Sequence, residues 1–284
     1  MNGESSNISS IPCKGYYSSL NTIHMFPFKY LAFLLCLQVG FLSRTCQAMA
    51  SSSVEPETCQ KYKGIRFFSP SEQTNRMPSL LYTFSGSGNN WLQLLVEHAK
   101  GIRTGSVYQD KNLIQSTFQG NGHCDRSVSL VLMHTIHHFA DDIEKGKISK
   151  LCLKNNITQF QKVVMLYRNP FDAIWSDFQR QASLSNNHTG VIPLSKFSSL
   201  VKRKMWWRRS KMMALSYASM LEVQYPGIEQ YYSETEYMYI RYEDLLNTEL
   251  REVILARLVP FLGLSSSAER IKCAFRLSDS PKVS

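Results

Sequence analysis

The sequence predicts an α/β fold in which a mostly parallel sheet carries helices on both faces. Short apolar runs of strand length alternate with segments whose apolar residues recur at helical spacing. The predicted strands are 80–84, 128–133, 163–167 and 237–241. Because parallel strands need a long crossover between them, usually a helix, this alternation favours parallel pairing over hairpins.

Each predicted strand except the second is followed by a recognisable helix. Apolar residues from Trp91 to Ala99 fall on one helical face, and Gly101 is a natural stop. After the third strand, Asn169 is suited to cap a helix and Pro170 to occupy its first position. Further helices are predicted over 198–217 and 250–262. The second of these is expected to bury Val253, Ile254, Leu258, Phe261 and Leu262.

Composition excludes several classes of protein. The chain has 284 residues, of which 43% are hydrophobic, too many for a disordered chain. With 14 glycines and 10 prolines it is neither collagen-like nor of low complexity. The formal net charge of +10 indicates an anionic partner, and phosphate, nucleic acid and acidic glycans all fit that charge.

Residues 1–50 are predicted to form an N-terminal leader. The apolar run 30–42 is short for a membrane span but fits the core of a secretory signal, and Ala48-Met49-Ala50 offers a cleavage pattern. The alternative is an uncleaved signal anchor with its N-terminus in the cytosol. Residues 51–78, rich in Ser, Glu and Pro, are interpreted as a stem or linker, and 79–284 as the folded domain.

Cysteine usage agrees with a lumenal domain. Four cysteines follow the leader, an even number suited to an oxidising compartment: Cys59, Cys124, Cys152 and Cys273. The spacing leaves the connectivity open, and a Cys124–Cys152 bond is the first hypothesis. Glycosylation sequons begin at Asn156 and Asn187. With no CxxC motif, neither a zinc ribbon nor a thioredoxin-like site is expected.

The turn after the first strand is the strongest chemical signal. The sequence Ser-Gly-Ser-Gly-Asn-Asn at 85–90 feeds a helix, so backbone N–H groups and the helix dipole are suited to bind an anion. It lacks the Lys-Ser/Thr of a Walker A loop and the third glycine of GxGxxG. The alternative is a glycine-rich turn without a ligand.

A second candidate pair is Arg168 with Ser176. Arg168 ends a predicted strand, where ligands of parallel sheets bind, and Ser176 lies two helical turns further on. Arginine binds phosphate in a bidentate manner and a hydroxyl adds one bond. Pairing of Arg168 with Asp172 on an ordinary helix surface is the alternative.

Together these segments resemble sulfotransferases that use 3′-phosphoadenosine-5′-phosphosulfate (PAPS), which have a P-loop-like fold. The stretch 84–91 resembles that family's loop for the 5′-phosphosulfate, 168–176 its 3′-phosphate segment, and 241–245 (RYEDL) its element beside the adenine. The WSC-domain-containing branch is the most similar, since its loop also lacks the lysine of the cytosolic enzymes and its next helix leads into a stretch like 104–108. The cysteine-rich WSC domain itself is absent from this sequence.

The resemblance implies a role for each matching residue. PAPS would be the co-substrate, and no metal is required. Its binding residues would be Gly86, Ser87, Gly88, Asn89, Asn90, Trp91, Arg168, Ser176 and Tyr242. The implied acceptor is a hydroxyl of a glycan or glycoprotein in the Golgi lumen. The chain would be a type II membrane protein there, or would be secreted after cleavage near Ala50.

The general base is less well matched. Where the family carries Lys-Thr-His, this chain reads Met133-His134-Thr135-Ile136-His137, so His137 is the predicted base and His134 the second candidate. The family's basic C-terminal segment over the 3′-phosphate has no counterpart before Ser284, which suggests a truncated end or another covering element. A sulfotransferase-like binding protein without turnover and a P-loop-type kinase are the alternatives to the enzyme.

The densest basic run, 202–211, is interpreted as a solvated helix face and not as a nucleic-acid site. Its two tryptophans, Trp206 and Trp207, are expected to anchor the helix to the core. In a sulfotransferase its charges would lead an acidic glycan to the site, so the expected partner is a glycan and no nucleic acid is expected.

Overall fold

The computed structural model describes residues 57–109, 114, 118–134, 150–182, 192 and 194–278. The predicted leader, the second sequon and His137 lie outside the described residues.

Five parallel strands form the sheet, in the order β2-β3-β1-β4-β5. Their bounds are β1 Ser79–Thr83, β2 Gly105–Ser106, β3 Leu130–His134, β4 Val163–Tyr167 and β5 Tyr237–Arg241. The four predicted strands are confirmed. β2 was not predicted because two residues are too short to show any periodicity.

Helices connect the strands. The first part of the chain contains α1 Glu57–Gln60, α2 Pro70–Gln73, α3 Asn89–Lys100, α4 Lys150–Lys154 and α5 Pro170–Ala182. The second part contains α6 Leu194–Phe197, α7 Leu200–Ser219, a π-helix Met220–Gln224, α8 Tyr225–Tyr231, α9 Tyr242–Leu246, α10 Arg251–Phe261 and α11 Ala268–Ser278.

Alternate strand residues bury against helices on opposite faces of the sheet, as side-chain alternation along a strand requires. Leu81, Val164 and Ile240 belong to one apolar core together with residues of α3, α10 and α11. From the other face, the Tyr82 hydroxyl donates a hydrogen bond to the Gln224 side chain at 2.5 Å. The predicted parallel α/β fold with helices on both faces is therefore confirmed.

The helix signals beside the sheet act as expected. The Asn169 side chain accepts a hydrogen bond from the Phe171 N–H at 3.0 Å, and Pro170 opens α5. Gly101 ends α3 in the left-handed conformation, with φ of 77°. Both helices that flank β1 and β4 are thus fixed at an end by the local sequence.

Two side chains point differently from the prediction. Val253 is 56% exposed while Leu255 is buried, because the α10 sequence is apolar around most of its circumference and does not define one face. Trp206 packs against Trp175 and Phe178, but Trp207 is 45% exposed. Neighbouring residues point about 100° apart on a helix, so only one of two adjacent tryptophans reaches this core.

Two disulfides cross-link separate segments of the described chain. The Cys124–Cys152 bond is present as hypothesised, and Cys59 pairs with Cys273. The second bond ties α1 to α11, and Phe68 is buried in the main core. Residues 57–78, interpreted from composition as part of a linker, therefore carry packed structure, because a disulfide and a buried aromatic ring outweigh their polar composition.

Within the described ranges, the structure contains no helix that is both long and apolar enough to cross a bilayer.

Candidate functional site

Three segments that leave neighbouring strands meet at the carboxyl edge of the sheet. The glycine loop 85–88 lies between β1 and α3, Arg168 follows β4, and Tyr242 follows β5. Ligands of open parallel sheets bind at this edge, because loops there combine with helix N-termini. The site is thus assembled by the strand order β1-β4-β5.

Glycine is required at two positions of the loop. Gly86 and Gly88 have φ angles of 86° and 90°, a region that other residues seldom adopt. A Cβ atom on Gly86 would lie 2.2 Å from the Ala173 carbonyl oxygen, and one on Gly88 would lie 2.3 Å from the Tyr242 ring. The loop therefore packs its bare backbone against α5 on one side and against Tyr242 on the other.

Ser87 carries a buried hydroxyl with no hydrogen-bond partner in the described part of the chain. Its backbone N–H donates to the Phe84 carbonyl oxygen at 3.2 Å. An unpaired buried hydroxyl costs free energy unless a ligand or water satisfies it. Its place in a glycine loop at the start of α3, where the helix dipole is positive, suits an oxyanion.

Asn89 and Asn90 form the first turn of α3. The Asn89 amide donates a hydrogen bond to the Asn90 side-chain oxygen at 2.9 Å. This contact holds the two side chains together at the helix N-terminus.

Arg168 joins the three segments. Its Nη1 donates to the Gly86 carbonyl oxygen at 3.0 Å, and its guanidinium carbon lies 4.4 Å from the centre of the Tyr242 ring. The Trp91 and Tyr242 rings meet edge to face with centroids 5.8 Å apart. Five of the residues predicted to bind PAPS are thus linked by direct contacts: Gly86, Gly88, Trp91, Arg168 and Tyr242.

Two residues that the sequence did not suggest hold this arrangement in place. The Tyr217 hydroxyl donates to the Arg168 carbonyl oxygen, and burial raises its pKa to about 12, so it stays a donor at neutral pH. Glu243 accepts hydrogen bonds from the Asn169 N–H at 2.7 Å and from Arg241 at 3.1 Å. The start of α9 is thereby fastened to the start of α5.

Ser176 lies half-buried on α5, two turns after the helix begins. Among the described residues, no contact joins its hydroxyl to Arg168 directly. Their predicted cooperation on one phosphate stays a prediction.

Asp177, the next residue, is the centre of a polar cluster that sequence reasoning missed. Its carboxylate is 1% exposed and accepts hydrogen bonds from Ser85, Arg180 and Gln181. Arg209 lies 3.9 Å from its second oxygen. The only local signal was an arginine three positions after an acid on a helix, which is common on surfaces. The cluster anchors the first residue of the loop to α5.

We expect Asp177→Asn to weaken this anchor. The amide keeps an acceptor for Ser85 but presents two donors and no charge to the neighbouring arginine, so the free energy of unfolding should fall by about 1–3 kcal/mol. Chemical denaturation of both proteins measures the change. The matched control is Asp172→Asn, since Asp172 is exposed on the same helix and should change stability by less than about 0.5 kcal/mol. Equal effects of the two substitutions would refute the anchoring role.

His134 ends β3, in register with Thr83 of β1. Its ring stacks on Tyr108 with centroids 5.2 Å apart, and its backbone N–H donates to the Tyr108 hydroxyl at 2.8 Å. The ring Nδ1 is buried and has no hydrogen-bond partner in the described ranges. Burial lowers the pKa of His134 to about 4, so the imidazole is neutral at physiological pH.

This lowered pKa predicts a pH-dependent stability. Between pH 6.5 and 4, the unfolded chain binds a proton at His134 that the folded chain does not, so stability falls as pH falls through this window. Between pH 7 and 4.5, wild type should lose about 2 kcal/mol more than His134→Gln, whose side chain does not titrate. Denaturant unfolding at both pH values tests this, and identical pH dependence in the two proteins would contradict it.

In the portion of the chain that the structure describes, no three His, Cys, Asp or Glu side chains come together as a metal site would require.

Comparisons with known proteins agree on one family. Residues 77–278 match the family model described as the sulfotransferase domain. A WSCD family member of Drosophila melanogaster is 30% identical over 207 residues, covering 70% of this chain and 55% of the relative. Another from Drosophila pseudoobscura pseudoobscura is 35% identical over 138 residues, covering 49% of this chain and 37% of the relative. One from Aedes aegypti is 27% identical over 181 residues, covering 59% of this chain and 51% of the relative.

The chain therefore spans about half the length, or less, of the curated relatives it matches. The match to the family model covers all five strands and the three segments that form the candidate site.

Proposed function

The chain belongs to the sulfotransferase family, and we propose that it transfers a sulfuryl group from PAPS to a hydroxyl group of a carbohydrate acceptor. The observation that carries this proposal is the meeting of the glycine loop, Arg168 and Tyr242 at one edge of the sheet. A donor with two phosphates and a sulfate needs anion-binding groups at both ends and an apolar surface for its adenine. These three segments supply that combination.

The described residues fit the donor chemically. Residues 86–90, which comprise most of the glycine loop and the first two residues of α3, would bind the 5′-phosphosulfate together with the unpaired Ser87 hydroxyl. Arg168 and Ser176 would hold the 3′-phosphate, since a guanidinium offers donors in a planar fork. Trp91 and Tyr242, which already contact each other, would flank the adenine.

In the proposed reaction, the acceptor oxygen forms a bond to sulfur while the bond from sulfur to the bridging phosphate oxygen breaks. The products are a sulfate ester and adenosine 3′,5′-bisphosphate, and the acceptor proton passes to a base. As in phosphoryl transfer, the protein mainly positions the reactants and stabilises charge on the leaving group. The loop amides and the α3 dipole would stabilise the charge on the leaving group.

His137 remains the proposed general base, with His134 as the second candidate. His134 lies beside the loop, but a pKa of about 4 makes it a weak proton acceptor at neutral pH. Loss of its base should lower turnover by about 10²–10⁴-fold. We expect this loss in His137→Ala and not in His134→Ala or His138→Ala. Retained turnover in His137→Ala, with either of the others inactive, would reject the assignment.

Two measurements separate the enzyme from its alternatives. Thermal unfolding with adenosine 3′,5′-bisphosphate or with ATP and magnesium distinguishes a sulfotransferase from a P-loop-type kinase, and we expect the bisphosphate to stabilise the protein more. Transfer of labelled sulfate from PAPS to a panel of glycans then tests turnover. Stabilisation without transfer to any acceptor would favour a binding protein without activity.

We further propose that the domain acts in the Golgi lumen, with the leader as a type II membrane anchor. Two disulfides that join distant segments support an oxidising compartment. Glycan acceptors are found in the same compartment. Secretion after cleavage near Ala50 is the alternative, and N-terminal sequencing of the protein recovered from medium and membranes distinguishes the two.

A further inference from the structure

A cavity lies at the opposite end of α3 from the candidate active site. It has a volume of about 690 Å³ and is lined by residues around Gly64–Arg76, Lys100–Ile102 and Gly263–Arg270. Lys100 is the last residue of α3, whereas the glycine loop precedes its first, Asn89. Twelve helical residues span about 18 Å, so this basic pocket is separate from the site at the sheet edge.

Four cationic side chains line the basic pocket: Arg66, Arg76, Lys100 and Arg270. Glu72 is the single acidic residue among its described lining. Arg66 binds that carboxylate with two hydrogen bonds, at 2.6 and 2.8 Å. In the described part of the chain, no carboxylate lies within ion-pair distance of the remaining three cations.

The three cations make only uncharged contacts. Lys100 donates to the Ser265 carbonyl oxygen at 3.2 Å, and Arg270 donates through Nε to the His98 carbonyl oxygen at 2.8 Å. The Arg76 guanidinium lies 4.1 Å from the centre of the Phe68 ring. Its Nε is buried and has no hydrogen-bond partner among the described residues.

The positive charges around Lys100 act on its pKa. Burial, and then the charges of Arg270, Arg76 and Arg66, lower the pKa of Lys100. Favourable contact with the C-terminal end of α3 accounts for the placement of Lys100 and Arg270. Arg76 makes the same kind of contact at the end of α10, where it donates to the Leu262 carbonyl oxygen at 3.4 Å, so the ends of two helices bring the cations together.

We propose that the basic pocket binds a small ligand that carries a sulfate or phosphate group. Arginine and lysine side chains without carboxylate partners match these oxyanions, and Arg76, Lys100 and Arg270 all line the same cavity. The volume is that of a small-molecule site and exceeds what a single ion requires. The proposal does not depend on sulfuryl transfer, because it concerns different residues.

Thermal unfolding of the full chain in sodium sulfate, against sodium chloride at equal ionic strength, tests the proposal. A site of millimolar affinity raises Tm by about 4–7 °C at roughly 20 mM sulfate. The test variant is Arg76→Gln/Lys100→Gln, and the control is Arg257→Gln/Lys272→Gln, which removes two exposed cations that do not line the pocket. The sulfate-dependent shift of each protein is measured from its own Tm without sulfate, so a change in basal stability does not enter the comparison.

We expect wild type and the control to share the sulfate-dependent rise, and the test variant to lose most of it. Any sulfate bound at the glycine loop contributes equally to all three proteins, so the difference reports on the pocket. An equal rise in the test variant would overturn the proposal, as would a wild type that shows no rise.

Glucose 6-sulfate, with glucose as its uncharged control, then identifies the source of the oxyanion. Tighter binding of glucose 6-sulfate than of sulfate supports a ligand carried on a sugar, and equal binding supports the free ion.

Discussion

Replacing Gly86 with alanine is expected to lower the free energy of unfolding by about 4 kcal/mol or more and to abolish binding of adenosine 3′,5′-bisphosphate. The backbone term, for a left-handed φ of 86°, costs about 1–2 kcal/mol. The steric clash costs more than the overpacking of an ordinary core. The new Cβ would lie 2.2 Å from the Ala173 oxygen and 3.0 Å from the Asp177 nitrogen. Both atoms belong to the backbone of α5 and move only if the loop and the helix separate.

Gly263 provides the matched control for this substitution. It also has a positive φ, 67°, but a Cβ placed there would meet no atom within 4 Å. Gly263→Ala should therefore cost only the backbone term, about 1 kcal/mol, and leave nucleotide binding unchanged. Denaturant unfolding and calorimetric titration of both variants measure the two effects. Equal stability losses would show that the contact between the loop and α5 contributes nothing.

The elements that the sequence predicts well are those whose signal is local. The strands 163–167 and 237–241 appear with the predicted bounds, because a five-residue apolar or aromatic run flanked by polar residues suffices to identify them. The stretch 85–90 and Arg168 stand out in the sequence for the same reason, since each lies directly after a strand, and their binding of PAPS stays a prediction. Their meeting follows from parallel topology, which places all strand ends on one edge.

What the sequence did not predict depends on contacts between distant residues. Asp177 acts on Ser85 across 92 positions, and Tyr217 on the Arg168 carbonyl across 49, so no local pattern reveals either. The packing of residues 57–78 rests on Cys59 meeting Cys273, 214 positions away. Composition described that segment correctly as polar, but polarity does not decide whether a segment packs.

Replacing Arg168 with alanine should weaken binding of adenosine 3′,5′-bisphosphate by about 100-fold, and Arg168→Lys by about tenfold. Alanine removes charge-assisted hydrogen bonds worth about 3 kcal/mol, whereas lysine keeps the charge and loses the planar fork. Isothermal titration measures both. Arg257→Ala is the control, since it removes one exposed arginine of α10 and should leave affinity unchanged.

A second ligand separates the two roles that Arg168 could have. If the guanidinium binds the 3′-phosphate, adenosine 5′-phosphate should bind wild type and Arg168→Lys about equally, because it lacks that group. If Arg168 acts only by holding the loop through the Gly86 carbonyl oxygen, both nucleotides should lose affinity by the same factor, since both use the loop for their 5′-phosphate. A shared loss would therefore leave the loop contact as the function of Arg168 and remove the 3′-phosphate assignment. A loss confined to the bisphosphate would assign opposite ends of one nucleotide to the two segments that Arg168 joins.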